Sequence, residues 1–307
     1  MERQLIIGYD GSANGDDALE LGRMLASELD AQPLVVTVVP HLQHLLGSSK
    51  LGPALDSASE PVLAAARERM EGIEIETRAA VDGSPARTIH ELAEGVKPVA
   101  VVIGSAHRGK LARTLLGSVG SALLSGSPSP IAVAPEGYSR RERAGIERLA
   151  AALSGAPESW AALETAIGVA RLLDAELGIL AAVEPVRYEY PSPYPLVDTK
   201  YWDVREEEMK RDLDAAIGRV PGDVVAEARL LTGDAATVVG EAAAEFDLLV
   251  LGSRSYGPVR SVLVGSVSRR LVAGAHCPVL IVPRGAGEDP LGVGELTAAA
   301  TGDRPRG

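Results

Sequence analysis

The sequence has 307 residues, a formal net charge of −12 and a hydrophobic fraction of 46%, of which few residues are aromatic. The acidic balance argues against nucleic acid or an anionic membrane surface as a partner, because both bind a cationic face. No segment approaches the roughly 18 apolar residues of a membrane span, and the N-terminus enters a strand without signal-peptide features. The single cysteine, Cys277, cannot form an internal disulfide. We therefore expect a soluble cytoplasmic protein.

Apolar runs alternate with helical periodicity through the first half of the chain. The turn Asp10-Gly11-Ser12 separates the first strand from the first helix, and residues 40–57 are expected to be irregular. The predicted strands are 4–8, 33–39, 73–81, 99–104 and 131–134, and the predicted helices are 14–29, 59–71, 85–95 and one that begins at Gly117-Ser118. This alternation is typical of a parallel sheet with helices on both faces.

The second half repeats this order of elements. Its predicted strands are 146–153, 177–183, 224–231, 247–252 and 279–282, and its predicted helices are 158–173, 203–218, 234–245 and one after the next glycine loop. A repeat of this length indicates a domain duplication. We therefore predict a first domain at 1–138, a linker at 139–145, a second domain at 146–284 and a mobile tail at 285–307.

One segment of the second half has no counterpart in the first. Residues 188–202 hold four of the seven tyrosines between prolines. We interpret this segment as a surface loop whose rings pack on their own domain. A lid or a docking segment for a partner is the alternative.

The repeated feature that bears on function is a strand that ends at a Gly-Ser pair, followed thirteen residues later by a second pair. The pairs are Gly104-Ser105 and Gly117-Ser118 in the first half, and Gly252-Ser253 and Gly265-Ser266 in the second. Unshielded backbone N–H groups at a strand exit and a helix start can bind an anion. In the first half, Asp10 and Val38 lie at the carboxyl ends of the first and second predicted strands, and both are expected to lie near this loop. The alternative role of Asp10 is to cap the adjacent turn or helix.

Other chemistry is poorly represented. The segment from Gly104 to Lys110 has the spacing of a P-loop, but Leu111 follows where Ser or Thr must bind Mg²⁺. The five histidines share no metal-ligand spacing between the halves, and no Gly-x-Ser-x-Gly elbow follows a strand. We therefore predict no catalytic residues and no metal site built from side chains.

Three groups of residues carry a resemblance to a known family: LIIGYDGS, then VVIGSAHRGKLARTLLGSVG with SPIAVAP, and LVLGSRSYGPVRSVLVGSVS with CPVLIVP. On these, the chain resembles a tandem universal stress protein over residues 3–135 and 146–283. The resemblance implies an α/β fold of two similar Rossmann-like domains, each with a five-stranded parallel sheet of order 3-2-1-4-5 and helices on both faces. It also implies that strands 130–134 and 278–282 pair internally and form a pseudo-dimer.

The resemblance further implies a nucleotide site, because one branch of the family binds ATP through the pattern Gly-x2-Gly-x9-Gly-Ser/Thr. The implied contacts are Asp10, Val38, Gly104, Ala106, His107, Gly117, Ser118 and Val119 in the first half, and Gly252, Ser255, Gly265 and Ser266 in the second. The middle glycine is replaced by His107 and Ser255, and Ser154 stands where the first half has the aspartate that meets adenine. The first half is therefore expected to be the better site.

The resulting hypothesis is a sensor or regulator of stress responses that binds ATP, alone or with Mg²⁺, and hydrolyses it slowly at most. The alternative is an interaction protein whose degenerate glycine loops bind no nucleotide. An enzyme of the wider adenine-nucleotide hydrolase group ranks last, because no catalytic set is present. A homo-oligomer or a protein partner remains open.

Overall fold

Two successive units of alternating strands and helices make up the chain. The computed structural model describes residues 3–39, 48–105, 118–124, 127–141, 145–184, 199–253, 266–283, 289–294 and 296–297. The strands are β1 (Gln4–Gly8), β2 (Gln32–Val39), β3 (Glu76–Val81), β4 (Ala100–Gly104), β5 (Ile131–Ala134), β6 (Arg148–Leu153), β7 (Glu176–Val183), β8 (Ala226–Thr232), β9 (Leu248–Gly252) and β10 (Val279–Val282). The helices are α1 (Ala13–Glu28), α2 (Ser48–Arg69), α3 (Pro85–Val96), α4 (Ser118–Leu123), α5 (Pro157–Leu173), α6 (Thr199–Ile217), α7 (Ala235–Ala242) and α8 (Ser266–Gly274). Short 3-10 turns cover Tyr138–Arg140 and Ala243–Glu245.

The ten strands that the structure describes form one sheet, in the order β3-β2-β1-β4-β5-β10-β9-β6-β7-β8. Each half therefore has the predicted order 3-2-1-4-5, with parallel pairs throughout. The halves join where β5 and β10 pair in antiparallel register, with Leu280 opposite Ala132. This pairing is the expected internal pseudo-dimer. Because the junction is antiparallel, the carboxyl ends of the strands in the two halves lie at opposite edges of the sheet.

Helices cover both faces of this sheet. Successive strand residues point to opposite faces, so Leu5 and Ile7 join one buried cluster and Ile6 joins the other. Buried residues of α1, α2, α5 and α6 complete the first cluster, and those of α3, α4, α7 and α8 complete the second. Both clusters run through both halves. Among the helices that the structure describes, none has the length and hydropathy that crossing a membrane requires.

Two helices begin four or more residues earlier in the chain than the sequence predicts. Helix α2 starts at Ser48, so the expectation of irregular structure over 40–57 is wrong for its last ten residues, and 40–47 lie outside the described residues. Pro53 and Pro61 within this helix weaken the helical pattern of the sequence. Leu63 and Ala66 of this helix are buried, and Ala66 belongs to the first buried cluster, so burial stabilises the helix in spite of the prolines. Helix α6 similarly takes in residues 199–202 of the aromatic segment, whose residues 188–198 are not described.

Part of the expected mobile tail is packed against the core. Leu291 is 1% exposed and Val293 is 4% exposed, and both belong to the first buried cluster. Arg3, just before β1, donates hydrogen bonds to the carbonyl oxygens of Leu291 (2.7 Å) and Gly292 (2.8 Å). The prediction of mobility is therefore wrong for residues 289–294. The segment is polar overall, but Leu291 and Val293 are buried in the first cluster and hold it against the core. Residues 285–288, 295 and 298–307 lie outside the description.

Candidate functional site

The turn between β1 and α1 is built by local hydrogen bonds. The Oδ1 atom of Asp10 accepts from the backbone N–H (3.0 Å) and the hydroxyl (2.5 Å) of Ser12. Ser12 in turn caps α1, since its Oγ atom accepts from the N–H of Gly15 at 3.2 Å. Gly11 has φ +77, a backbone conformation that favours glycine. Asp10 therefore has the local capping role, and its exposed carboxylate also lines a cavity.

Gly104, at the end of β4, packs directly against the first turn of α1. A Cβ atom at this position would lie 2.0 Å from the carbonyl oxygen of Asn14, and one at Gly252 would lie 2.2 Å from that of Glu158. The next N–H group is also occupied, because Ser105 donates to the Ala134 carbonyl at 2.9 Å. The interpretation of the first Gly-Ser pair as bare N–H groups for an anion is thus wrong at Ser105. Glycine is needed here for helix packing.

The first cavity has a volume of about 250 Å³ and lies beyond the carboxyl ends of β1, β2 and β4. Its lining includes Asp10, Val36, Val38, Ile89, Ile103, Gly104 and Val119. Four of the predicted contacts, Asp10, Val38, Gly104 and Val119, therefore share one cavity. Ser118 begins α4, directly before Val119, whereas Ala106, His107 and Gly117 lie outside the described residues.

A second cavity, of about 390 Å³, occupies the equivalent place in the second half. Its lining repeats most positions of the first cavity, with Ser154 for Asp10, Glu158 for Asn14 and Ala182 for Val38, and it includes further residues of α6. Gly252 lines it, as predicted from the repeat. Ser266 begins α8 and is exposed, while Ser255 and Gly265 are not described. The structure thus contains two copies of the same cavity that open at opposite edges of the sheet.

Tyr9 forms a wall of the first cavity that sequence analysis did not single out. The Tyr9 hydroxyl donates to Asp16 Oδ1 at 3.2 Å, and the same carboxylate binds Arg69 of α2 at 2.9 Å. Burial raises the pKa of the Tyr9 hydroxyl, and the neighbouring Asp16 carboxylate raises it further. The ring is therefore neutral at physiological pH and ties the cavity wall to α2. The sequence feature that could have indicated this role is the difference between Tyr9 in the first half and its equivalent, Leu153, in the second.

Charged caps hold the helices that close each cavity. Asp234 caps α7 and accepts from the guanidinium of Arg270 on α8. Hydrogen bonds from Arg270, and then from Thr237, lower the pKa of Asp234 to about 2. In the first half, Asp82 takes part in the corresponding turn before α3, and the Arg87 guanidinium lowers its pKa. These pairs join elements around each cavity and do not enter it.

Both halves of the chain match the same protein family. Residues 1–135 and 145–283 both match the universal stress protein family, and together they cover nearly the whole chain. The chain belongs to the universal stress protein family. As a tandem universal stress protein, it carries one family segment on β1 to β5 and one on β6 to β10.

Two mycobacterial relatives match this chain over nearly their full length. A universal stress protein of Mycobacterium tuberculosis is 25% identical over 293 residues, covering 91% of this chain and 99% of the relative. One from Mycolicibacterium smegmatis is 27% identical over 301 residues, covering 92% and 97%. The crystal structure of a universal stress protein from Archaeoglobus fulgidus is similar with a TM-score of 0.65 at 20% identity, covering 92% of this chain and 98% of that chain. This last likeness supports the tandem fold.

Proposed function

We propose that this universal stress protein binds an adenine nucleotide, ATP, chiefly in the first cavity, and acts as a sensor or regulator of stress responses. The observation that carries the proposal is the convergence of Asp10, Val38, Gly104 and Val119 on one cavity. The resemblance to the family implies nucleotide contact at five described positions of the first half. These four line the cavity, and the fifth is Ser118, at the start of α4. The cavity lies where the strand order reverses between β1 and β4, which is the usual ligand position in an open parallel sheet.

The first cavity suits a base and a sugar. Val36, Val38, Ile89 and Ile103 provide an apolar surface for a planar ring, and the exposed carboxylate of Asp10 can accept hydrogen bonds from an amine or hydroxyl. A volume of about 250 Å³ leaves the phosphates outside this chamber. On the proposed function they extend past Gly104 towards residues 106–117, which lie outside the described residues.

One observation favours the alternative, an interaction protein without nucleotide. Gly104 and Gly252 are both explained by the close approach of a helix, and the N–H groups of Ser105 and Ser253 are used within the sheet. The fold alone therefore requires these two glycines, whether or not a nucleotide binds. Their presence supports the family and the fold, while the case for ATP rests on the cavity.

Titration calorimetry of the full chain with ATP and with Mg-ATP tests the proposal, together with chromatography of any nucleotide released by heat. We expect Asp10→Asn to weaken ATP binding by about tenfold, because the cap to Ser12 survives while one acceptor and the charge are lost. The matched variant Ser154→Ala in the second half is expected to leave the affinity of the first cavity unchanged. A protein that is purified empty and gives no heat with either ligand favours the interaction protein. Equal losses in both variants contradict the preference for the first half.

A further inference from the structure

The two cavities are repeats of one another, yet the second is the larger. Their volumes are about 250 Å³ and about 390 Å³. Three wall positions carry smaller side chains in the second half. The pairs are Val38 and Ala182, Pro85 and Ala235, and Ile89 and Val239. Together these exchanges remove five carbon atoms from one wall.

Other exchanges add bulk to the second cavity but do not cancel this gain. Leu180 replaces Val36, and Ser159 and Ser268 replace glycines. The loss of the Tyr9 ring, replaced by Leu153, acts in the opposite direction. The second cavity is the larger, and Ala182, Ala235 and Val239 are the smaller residues of its wall beside β7 and α7. Its lining also extends further, to Val183, Glu184, Arg205, Met209 and Leu271.

Helix α6 adds a cation to the second cavity. Arg205 and Met209 of α6 line it, whereas none of the described side chains of α2, the equivalent helix, is part of the first cavity lining. The Arg205 side chain is 52% exposed, and its ion pair to Glu208 on the same helix is long, at 3.4 Å. Arg205 also lines an adjoining groove beside Ser154. Arg205 is therefore shared by the cavity and this groove, which Glu208, Arg211 and Asp212 also line.

Two carboxylates also line the second cavity, and each has other interactions. Glu158 has an interaction of its own. Glu184 lies near Arg270, whose pKa is raised mainly by Asp234 and to a smaller extent by Glu184. The carboxylate of Glu184 is thus partly balanced by a cation outside the cavity lining. Among the lining residues that the structure describes, Arg205 is the cation that can exchange its long ion pair with Glu208 for an anionic ligand.

We infer that the second cavity is a binding site with a selectivity of its own, for an anionic ligand whose ring system is bulkier than adenine. The inference rests on the proposed function only in taking adenine as the ligand of the first cavity. The ring occupies the space left by Ala182, Ala235 and Val239, and the anionic group meets Arg205. The duplication has in this way produced two sites of different size in one chain.

An ATP analogue with a benzyl group on its exocyclic amine serves as the probe, titrated into the full chain by calorimetry. We expect one site for this analogue. The double variant Ala182→Val and Ala235→Pro restores the bulk of the first cavity and is expected to weaken analogue binding by about tenfold or more. Ala235 is the first residue of α7, where proline is tolerated. Thermal unfolding checks that this variant is folded.

Two further variants make the test reciprocal. Arg205→Gln is expected to weaken binding of the analogue by about tenfold and to leave the uncharged benzyl-adenosine unaffected. Val38→Ala with Ile89→Val enlarges the first cavity and is expected to raise the number of analogue sites from one to two. The affinity of the first cavity for ATP is measured in every variant.

The outcomes separate this inference from the proposed function. Binding of ATP without binding of the analogue overturns the inference and leaves the proposed function in place. Analogue binding that the Ala182→Val and Ala235→Pro variant does not weaken also overturns it. Analogue binding that this variant does weaken, in a protein that does not bind ATP, supports the inference and removes the proposed function. A protein that binds neither overturns both.

Discussion

Gly104 lies where β4 meets the first turn of α1, and a methyl group there would come within 2.0 Å of the Asn14 carbonyl oxygen. Because the obstacle is backbone, the helix itself must move to make room. We expect Gly104→Ala to lower the free energy of unfolding by about 1–3 kcal/mol, measured by urea denaturation. Gly252→Ala, which would meet the Glu158 carbonyl at 2.2 Å, is expected to have a similar effect.

The control for this prediction is Gly83→Ala, since a Cβ atom at Gly83 would meet nothing within 4 Å. That variant is expected to change the stability little. Unchanged stability of Gly104→Ala would show that α1 does not approach β4 this closely. At this scale, the spacing of the repeat identified Gly104 and Gly252 as special but did not indicate that the backbone of a helix packs against each of them. The sequence alone does not distinguish a glycine that allows close packing of a helix from one that allows close approach of a phosphate.

Helix α1 is joined to the turn that follows β5 by the buried carboxylate of Asp17, which is 2% exposed. It accepts hydrogen bonds from the N–H groups of Gly137 and Ser139, each at 2.8 Å, and from the Ser139 hydroxyl at 2.7 Å. We expect Asp17→Ala to lower the free energy of unfolding by about 3 kcal/mol, because buried donors lose their acceptor. Ser139→Ala, which removes one of the three hydrogen bonds, is expected to cost about 1 kcal/mol. Equal effects of the two variants would contradict a role for the backbone donors.

Elements with a strong periodic pattern were predicted close to their observed bounds, as with α1 and β7. The start of helix α2 was predicted wrongly, because two prolines and several small polar residues weaken its helical pattern. The helix is stabilised where its buried residues pack in the first cluster. Local pattern decides an element when its own residues carry the signal. It fails when tertiary packing overrides local preference.

At the scale of the whole molecule, the described strands form one sheet, and segment 289–294 contacts both halves of the chain. Arg3 holds this segment from the first half, while Val293 packs on Gly168 of α5 in the second. We expect Leu291→Ala to lower the free energy of unfolding by about 2–4 kcal/mol. Hydrogen exchange is expected to become faster both in β1 and in α5, since the docked segment contacts both halves. Val225→Ala, at an exposed position, is the control. Faster exchange confined to one half would contradict contact of the segment with both halves.

By itself, the sequence determined the duplication and the alternation of strands and helices, because spacing and hydrophobic periodicity are properties of the chain. The resemblance of its motifs to universal stress proteins implied the family, the strand order of each half and the pairing of β5 with β10. It also identified Asp10, Val38, Gly104 and Val119, which share the first cavity. Only the tertiary structure decided the size of each cavity, since its walls come from residues as far apart as Ala182, Ala235 and Leu251. It also decided that Gly104 faces a helix and that Leu291 is buried. Volume and burial depend on which side chains meet across the fold, and no local pattern records that.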